Sequence, residues 1–537
     1  MTRVNGATLL ARALRQSGVG PVFTLSGHQI LPVYDAGIDE CLKFVDTRHE
    51  NAAVHMADGW GRLTGQPGVA LVTAAPGFTN ALTGAATAWM SESPLLLLSG
   101  GVEVTNLGRG GFQEMDQLAM IRPIVKGAWM PRTAEELPGM VARALRVAAS
   151  GVPGPVHITL PYDVLHQAVD EDAAPLPSAS EFAPLSQVAS AAQIEQILSL
   201  LAAAERPMLI AGPSLTRGEA GVALRELSEL TGLSVVPIDS PVGLAEPSLH
   251  GLGGALAESD LVLSLARQDF AVSFLDTQTV PASTTIVQIA PDAASIGQNR
   301  AVRVGIVAAP AAVLRQLLEA VQARSWQRVA WADELRRRRQ AQIARTRDME
   351  SSNEVPVHPM RVTSTVRDRL SPGDCVALDG GDFVRWARWT FGGGPWELLT
   401  NGKLGALGPG LPLAMAATLA KPGARSVAFV GDGTFGFHAM EFDTAVRHNL
   451  PLVAIVGNDA GWATERHRQR EVYGPDRLVA ADLLPTRYDR VAEDLGAHGE
   501  HVERPDEFAP ALERAFASGK PACINVQIAS VRAPAAT

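Results

Sequence analysis

Cysteine is scarce. Cys41, Cys375 and Cys523 are the three in the chain, and they have neither the close spacing of a metal site nor the even count of a disulfide framework. They read as packing residues. Positive charge is also in deficit: 46 Lys and Arg against 56 Asp and Glu leave a formal net charge of −10. That balance argues against a nucleic-acid partner or an anionic membrane surface. The one basic run, Arg336 to Arg339, falls in a polar helical segment and reads as a solvated face. Aromatic residues make up 5% of the chain, and no apolar run approaches the roughly 18 residues that a spanning helix needs. The opening residues, MTRVNGATLLARALRQSG, lack the apolar core and cleavage site of a secretory leader and follow an amphipathic helical pattern instead. A cytoplasmic location is the expectation.

What is present is a long globular chain, 46% hydrophobic over 537 residues, which suits about three domains. Two composition shifts divide it. Val169 to Ser190 is rich in Ala, Pro and Ser without a periodic apolar pattern and reads as a linker. Gln322 to His358 reads as a charged helix followed by a break. The predicted domains are 1–170, 190–325 and 355–532. Each alternates short β-branched runs, such as GVALV, PMLIA and CVALD, with helical patterns, which predicts doubly wound α/β domains with parallel sheets. The first and third share a plan, since each ends a strand in a glycine-rich turn, where open α/β sheets bind ligands.

The most informative stretch is VAFVGDGTFGFHAMEFDTAVRHNLPLVAIVGNDAGW, Val427 to Trp462. It reads as strand, turn, helix, strand, and such a crossover brings Asp432 and Asp459 to one edge of a sheet on neighbouring strands. Gly431 and Gly433 let the backbone approach a ligand, and a helix starting near Thr434 favours an anion. Two carboxylates beside a phosphate-binding element suit Mg²⁺, whose octahedron is completed by phosphate oxygens and water.

Gly431-Asp432-Gly433, then 24 residues, then Asn458-Asp459 resembles the cofactor signature of the thiamine diphosphate enzymes. The resemblance runs from about residue 5 to about residue 530. It implies three doubly wound domains of the thiamine diphosphate decarboxylase type: a pyrimidine-binding domain, a central Rossmann-like domain, and a domain that binds the diphosphate with Mg²⁺. It implies that Asp432, Asp459 and the carbonyl of Gly461 hold the metal, with Thr434 and Trp462 beside them. The family has Asn where this chain has Asp459, a departure that adds negative charge next to a diphosphate.

In the same family an acid activates the cofactor by hydrogen-bonding its pyrimidine ring, and Glu50 in DTRHENAA matches that position. Thr73, Pro76, Gly77 and Asn80 resemble the pyrimidine-side loop. Gly381, Asp382 and Phe383 resemble a diphosphate-side loop, and Gly405 and Leu407 the segment whose bulky residue holds the cofactor bent. His28, Gln29 and Gln113 are expected near the thiazolium as hydrogen-bonding or proton-relay groups. Family members build the site between two subunits, so Glu50 and Asp432 are expected to meet across the interface of a homodimer or homotetramer.

Within the acetolactate-synthase-like group, DTRHE, FTNA, EFDTAVR and PACINV are similar to benzaldehyde lyase, and DGGDF and VGNDAGW to 2-hydroxyacyl-CoA lyase. Acetolactate synthase fits less well, because Ala271 stands where its carboxylate-binding arginine should be, and its tryptophan is absent near Arg468. The short passage from PSLHGLGG to ALAESDLVL argues against FAD. The resemblance thus implies a lyase or carboligase acting on small carbonyl substrates, 2-hydroxy ketones or 2-hydroxyacyl-CoA. The alternatives are a 2-oxo acid decarboxylase or acetolactate-synthase-type acyl transferase, and a non-catalytic cofactor-binding subunit.

Overall fold

The structure, a computed structural model, describes residues 3–267, 280–326 and 330–534. Ala271 lies outside the described residues. The first domain carries β1 (Arg3–Asn5), β2 (Val22–Thr24), β3 (Phe44–Asp46), β4 (Gly68–Val72), β5 (Leu95–Gly101), β6 (Ala128–Trp129), β7 (Pro155–Pro161) and β8 (Ala168–Asp170). The central domain has β9 (Pro207–Ala211), β10 (Ser234–Pro237), β11 (Leu261–Leu265), β12 (Thr285–Ala290) and β13 (Val304–Val307). The third has β14 (Cys375–Leu378), β15 (Glu397–Thr400), β16 (Ser426–Gly431), β17 (Val453–Asn458), β18 (His498–Val502) and β19 (Ala522–Gln527).

Among the described residues all of these except β1 and β8 form three parallel sheets, ordered β3-β2-β4-β5-β7-β6, β10-β9-β11-β12-β13 and β15-β14-β16-β17-β19-β18. The first and third orders are the same permutation, so the shared plan read from the sequence is a shared topology. Strands such as β4 and β5 are buried along their whole length, as expected when helices cover both faces of a parallel sheet. Among the described residues no helix is long and apolar enough to cross a membrane.

Two segments differ from the sequence reading. The start of the presumed linker is β8, which pairs antiparallel with β1, Val4 opposite Val169; a three-residue strand is too short to produce a periodic signal. Within the charged segment an α-helix covers Trp331–Ala344 and a 3₁₀ turn Arg347–Ser351, and a separate helix, Pro359–Arg367, opens the third domain.

The first and third domains share one hydrophobic core. Its seam is the helix Glu50–Thr64 against the helix Gly410–Ala420. A side chain at Gly59 would sit 2.9 Å from the Ala416 Cβ, so glycine is what permits the close approach. Arg62, buried in this seam, pairs with Asp58 and donates to the Thr400 carbonyl at 2.6 Å. At the tip of β3, Asp46 holds Arg447 at 2.7 Å and His448 at 2.9 Å.

Candidate active site

β16 and β17 are adjacent and in register, Gly431 opposite Gly457, so the chain leaves both strands at one edge. Asp432 follows β16 directly and begins the helix Asp432–His438, slightly earlier than the start near Thr434 read from the sequence. Its Oδ2 accepts the Gly461 amide at 2.8 Å. Burial pushes the Asp432 carboxyl up to about 7, and the nearby charge of Asp459 adds to that push. Two buried acids facing each other raise the cost of ionisation, and a divalent cation between them would remove it.

The turn after β17 presents the other groups. Ala460 has φ +53°, a left-handed conformation uncommon for a non-glycine residue. Asn458 turns inward: its Oδ1 accepts the Ala460 amide at 3.1 Å and its Nδ2 donates to the Thr486 carbonyl at 2.9 Å. It therefore anchors the turn and leaves Asp459 and Gly461 at the rim. Trp462 lies over Gly433, where an added Cβ would meet its ring at 2.8 Å.

Asp432, Gly433, Asp459, Gly461 and Trp462 border a cavity of about 420 Å³ that also takes in Gly381, Asp382, Phe383, Gly405, Leu407, Gly431 and Thr434. Two helices begin on it, Asp382–Phe391 and Ala463–Tyr473, and the free amides of their first turns suit phosphate oxygens. Phe383 packs under Gly457, and Leu407 lies against Gly380, each so close that a Cβ on the glycine would stand about 2.4 to 2.5 Å away. Gly405 has φ +68° beside Pro241 of the central domain. Asp382 is buried, 3.2 Å from the His467 Nδ1, and burial raises its carboxyl above the ordinary range.

The donor set fits a diphosphate held through a divalent ion. Asp432 and Asp459 would supply carboxylate oxygens, Gly461 a carbonyl, and the two helix starts amides for phosphate oxygens. Among the described residues no group of three His, Cys, Asp or Glu side chains is arranged to hold a metal, so such an ion would depend on the main chain and on the ligand's own oxygens, as Mg²⁺ commonly does.

Asp379, the first residue of DGGDF, has no role of its own in the sequence reading. Its Oδ1 accepts the amides of Gly380 and Gly408, at 2.7 and 2.9 Å, and its Oδ2 that of Gly410, at 2.8 Å. Burial lifts this carboxyl to about 6, against the pull of those amides. It ties the segment carrying Leu407 to the end of β14. An acid directly before paired glycines was the available signal. Ser240 and Pro241 from the central domain, and Ser530 and Val531 near the carboxyl end, also border the cavity, and no local motif marks them.

A second cluster forms in the first domain. Glu50 begins its helix right after β3, and its Oε2 accepts the Asn80 Nδ2 at 3.0 Å. Pro76 and Gly77 open the helix Pro76–Met90; a Cβ on Gly77 would lie 2.8 Å from the Thr73 methyl and 3.4 Å from the Glu50 Oε1. Thr73 Oγ1 donates to the Gln29 Oε1 at 2.5 Å, and Gln29 Nε2 donates to the Gln113 Oε1 at 2.6 Å. Thr73, Gln29 and Gln113 thus make one uncharged chain beginning next to Glu50. Gln113 sits at φ +61° in a loop stapled by Glu114, whose carboxylate accepts the amides of Gly110 and Gly111. His28 is placed differently: its ring stacks on Tyr162, centroids 5.3 Å apart, outside that chain.

All residues bordering the cavity belong to the central and third domains. The Glu50 cluster does not reach it within one chain. Phe112, beside Gln113, is 82% exposed, and Phe437 and Met440, just beyond Asp432, are about half exposed, which leaves apolar surface next to both clusters.

The family models described as thiamine pyrophosphate enzyme N-terminal TPP binding domain, central domain and C-terminal TPP binding domain match residues 4–120, 194–317 and 379–526. The chain is 34% identical to an acetolactate synthase large subunit of Mycobacterium tuberculosis over 97% of its own length and 95% of that protein. It is 32% identical to human 2-hydroxyacyl-CoA lyase 2, covering 94% of this chain and 86% of the relative. A 2-hydroxyacyl-CoA lyase of Oryza sativa subsp. japonica is 30% identical, over 98% and 96%.

Proposed function

The chain belongs to the thiamine pyrophosphate enzymes of the acetolactate-synthase-like group, and from that premise we propose that it is a carbon–carbon lyase and carboligase. Its substrates are 2-hydroxy ketones, 2-hydroxyacyl thioesters or the aldehydes from which these form. The observation that carries this reading is the uncharged Thr73–Gln29–Gln113 chain next to Glu50. Amide and hydroxyl groups suit a carbonyl or hydroxyl oxygen, whereas a 2-oxo acid acceptor calls for a cation to match its carboxylate.

Thiamine diphosphate, when bound, would supply a nucleophilic carbon and an electron sink. The chain's own residues do the rest. Asp432, Asp459 and the Gly461 carbonyl would hold Mg²⁺, and the first turns at Asp382 and Ala463 would donate to the diphosphate oxygens. Leu407 and Gly405 would pack against the bound cofactor. Glu50 holds a proton at the pyrimidine nitrogen, with Asn80 fixing its carboxyl. Gln29 and Gln113 hydrogen-bond the substrate oxygen and orient it.

Because the Glu50 cluster and the cavity are separate within one chain, the working enzyme is a homodimer or homotetramer in which each site draws on two copies. The short central-domain segment near Gly251 to Gly254 supports a site without FAD.

Acetolactate-synthase-type acyl transfer is the second reading, favoured by the similarity to the Mycobacterium tuberculosis synthase. Purified protein supplied with thiamine diphosphate and MgCl₂ separates the two. Formation of acyloins from aldehyde pairs, or release of an aldehyde from a 2-hydroxyacyl thioester, supports the lyase; acetolactate from pyruvate alone overturns it in favour of the synthase.

A further inference from the structure

Asp459 stands where the family signature has a neutral asparagine. Asp432 and Asp459 therefore place two carboxylates at one rim, where the usual pair carries a single charge. Both are buried: the Asp459 side chain is 5% exposed and Asp432 is 2% exposed. A surplus negative charge there repels the diphosphate that the rim is built to receive, and burial weakens the screening that would otherwise soften the repulsion.

The same turn has a cation on it. Arg466, one turn into the helix Ala463–Tyr473, folds back with its side chain 9% exposed. Its Nη1 lies 3.4 Å from the Asp459 Oδ2 and donates to the Asp459 carbonyl at 3.2 Å, while Nη2 donates to the Ala460 carbonyl at 2.7 Å. The guanidinium also lies against Gly461, where an added Cβ would come within 1.7 Å of Nη2. Nε is 3.1 Å from Asp482, but that carboxylate is 73% exposed. The buried charge facing Arg466 is Asp459. Nη1 is also 3.5 Å from the Ser530 Oγ, which adds no charge.

We propose that Arg466 is the counter-ion of Asp459, a positioning residue that returns the rim to the charge of an Asp–Asn pair and so lets this chain bind thiamine diphosphate with an acid at that position. With Asp432 and Asp459 negative and Arg466 positive, the rim carries one net negative charge, as it would with asparagine and no arginine. The substitution at Asp459 and the arginine seven positions later thus form one unit, and this inference rests on the cofactor reading above.

A residue that merely braced the turn would act through its hydrogen bonds to the Asp459 and Ala460 carbonyls. Arg466→Gln keeps an amide donor for those carbonyls and removes the charge; Arg466→Lys keeps the charge. The test is titration calorimetry of cofactor-free protein with thiamine diphosphate at saturating MgCl₂, on the wild type, Arg466→Gln, Arg466→Lys, Asp459→Asn and the double variant Asp459→Asn/Arg466→Gln. Thermal midpoints of the cofactor-free proteins are measured alongside. Removing one partner of a buried ion pair leaves the other charge uncompensated, so Arg466→Gln should weaken thiamine diphosphate binding by about tenfold or more. The double variant should recover to within about threefold of wild type, and Arg466→Lys should stay near wild type. Arg466→Gln binding as tightly as wild type, or a double variant as weak as Arg466→Gln, would overturn the counter-ion assignment. If Arg466→Gln fails to fold, a folded, cofactor-binding double variant supports the assignment and an unfolded one overturns it. Wild-type protein that binds no thiamine diphosphate would instead overturn the cofactor reading, and the cofactor-free midpoints still report whether Asp459→Asn relieves Arg466→Gln.

Discussion

The amide of Gly461 donates to the Asp432 carboxylate at 2.8 Å, joining the turn after β17 to the end of β16. The glycine whose carbonyl would face the proposed metal is thereby fixed by the acid that would hold the same ion. This bond sets the spacing of the rim.

Asp432→Ala removes a charged acceptor and a metal ligand together. Thiamine diphosphate affinity at saturating MgCl₂ should fall roughly 10- to 100-fold, the equivalent of losing one charged hydrogen bond. Calorimetry checks it, and circular dichroism should report an unchanged fold.

Glu50→Gln keeps the shape and the Asn80 contact but removes the carboxyl. Turnover should drop about 100- to 10,000-fold, the usual contribution of a positioned acid or base, while cofactor binding changes far less. Single-turnover and steady-state kinetics on one preparation distinguish the two effects.

Gln29 lies inside the hydrogen-bonded chain and His28 outside it, stacked on Tyr162. Gln29→Leu should lower kcat by about 10- to 100-fold, whereas His28→Phe, which preserves the stack, should stay within about threefold of wild type. The reverse order would move the proton relay to His28.

On the proposed reading, in which the Glu50 cluster meets the cavity of a second copy, association should control activity. Sedimentation over a dilution series should show a dimer or larger assembly wherever turnover is measured, with specific activity falling as monomer accumulates. A fully active monomer contradicts this.

Burial holds His55 down to about 3, with the nearby Arg62 charge adding to the effect. Its value when unfolded is near 6.5. The stability that neutral His55 contributes is therefore complete above pH 6.5 and is lost as pH falls from there toward 3, by up to about 1.4 kcal/mol per pH unit. Replacing it removes that loss. The thermal midpoint of His55→Leu should rise relative to wild type as pH drops from 7 to about 4.5; a pH-independent difference would mean that His55 does not titrate on unfolding.

Much of this was legible in the chain because the decisive features are local. Gly431-Asp432-Gly433 and Asn458-Asp459 end two consecutive apolar runs, and parallel pairing with Gly431 opposite Gly457 then fixes their adjacency. Glu50 was readable for the same reason, as the acid after a short strand and before a helix. What escaped notice depends on return paths. Arg466 reaches Asp459 only because a helix turns back over the strand ends, and Ser240 enters the cavity only through domain packing. His28 and Gln29 were indistinguishable in sequence because one residue of register decides which side chain faces Thr73. β8 was hidden by its length, its pairing with β1 being a contact across the whole first domain.

The most direct measurement is a crystal structure of the protein grown with thiamine diphosphate and MgCl₂. The account predicts one Mg²⁺ ligated by Asp432, Asp459, the Gly461 carbonyl and the diphosphate, with the pyrimidine ring against Glu50 of a second copy. A cofactor absent from that cleft, or bound with Glu50 far from its pyrimidine, would contradict it.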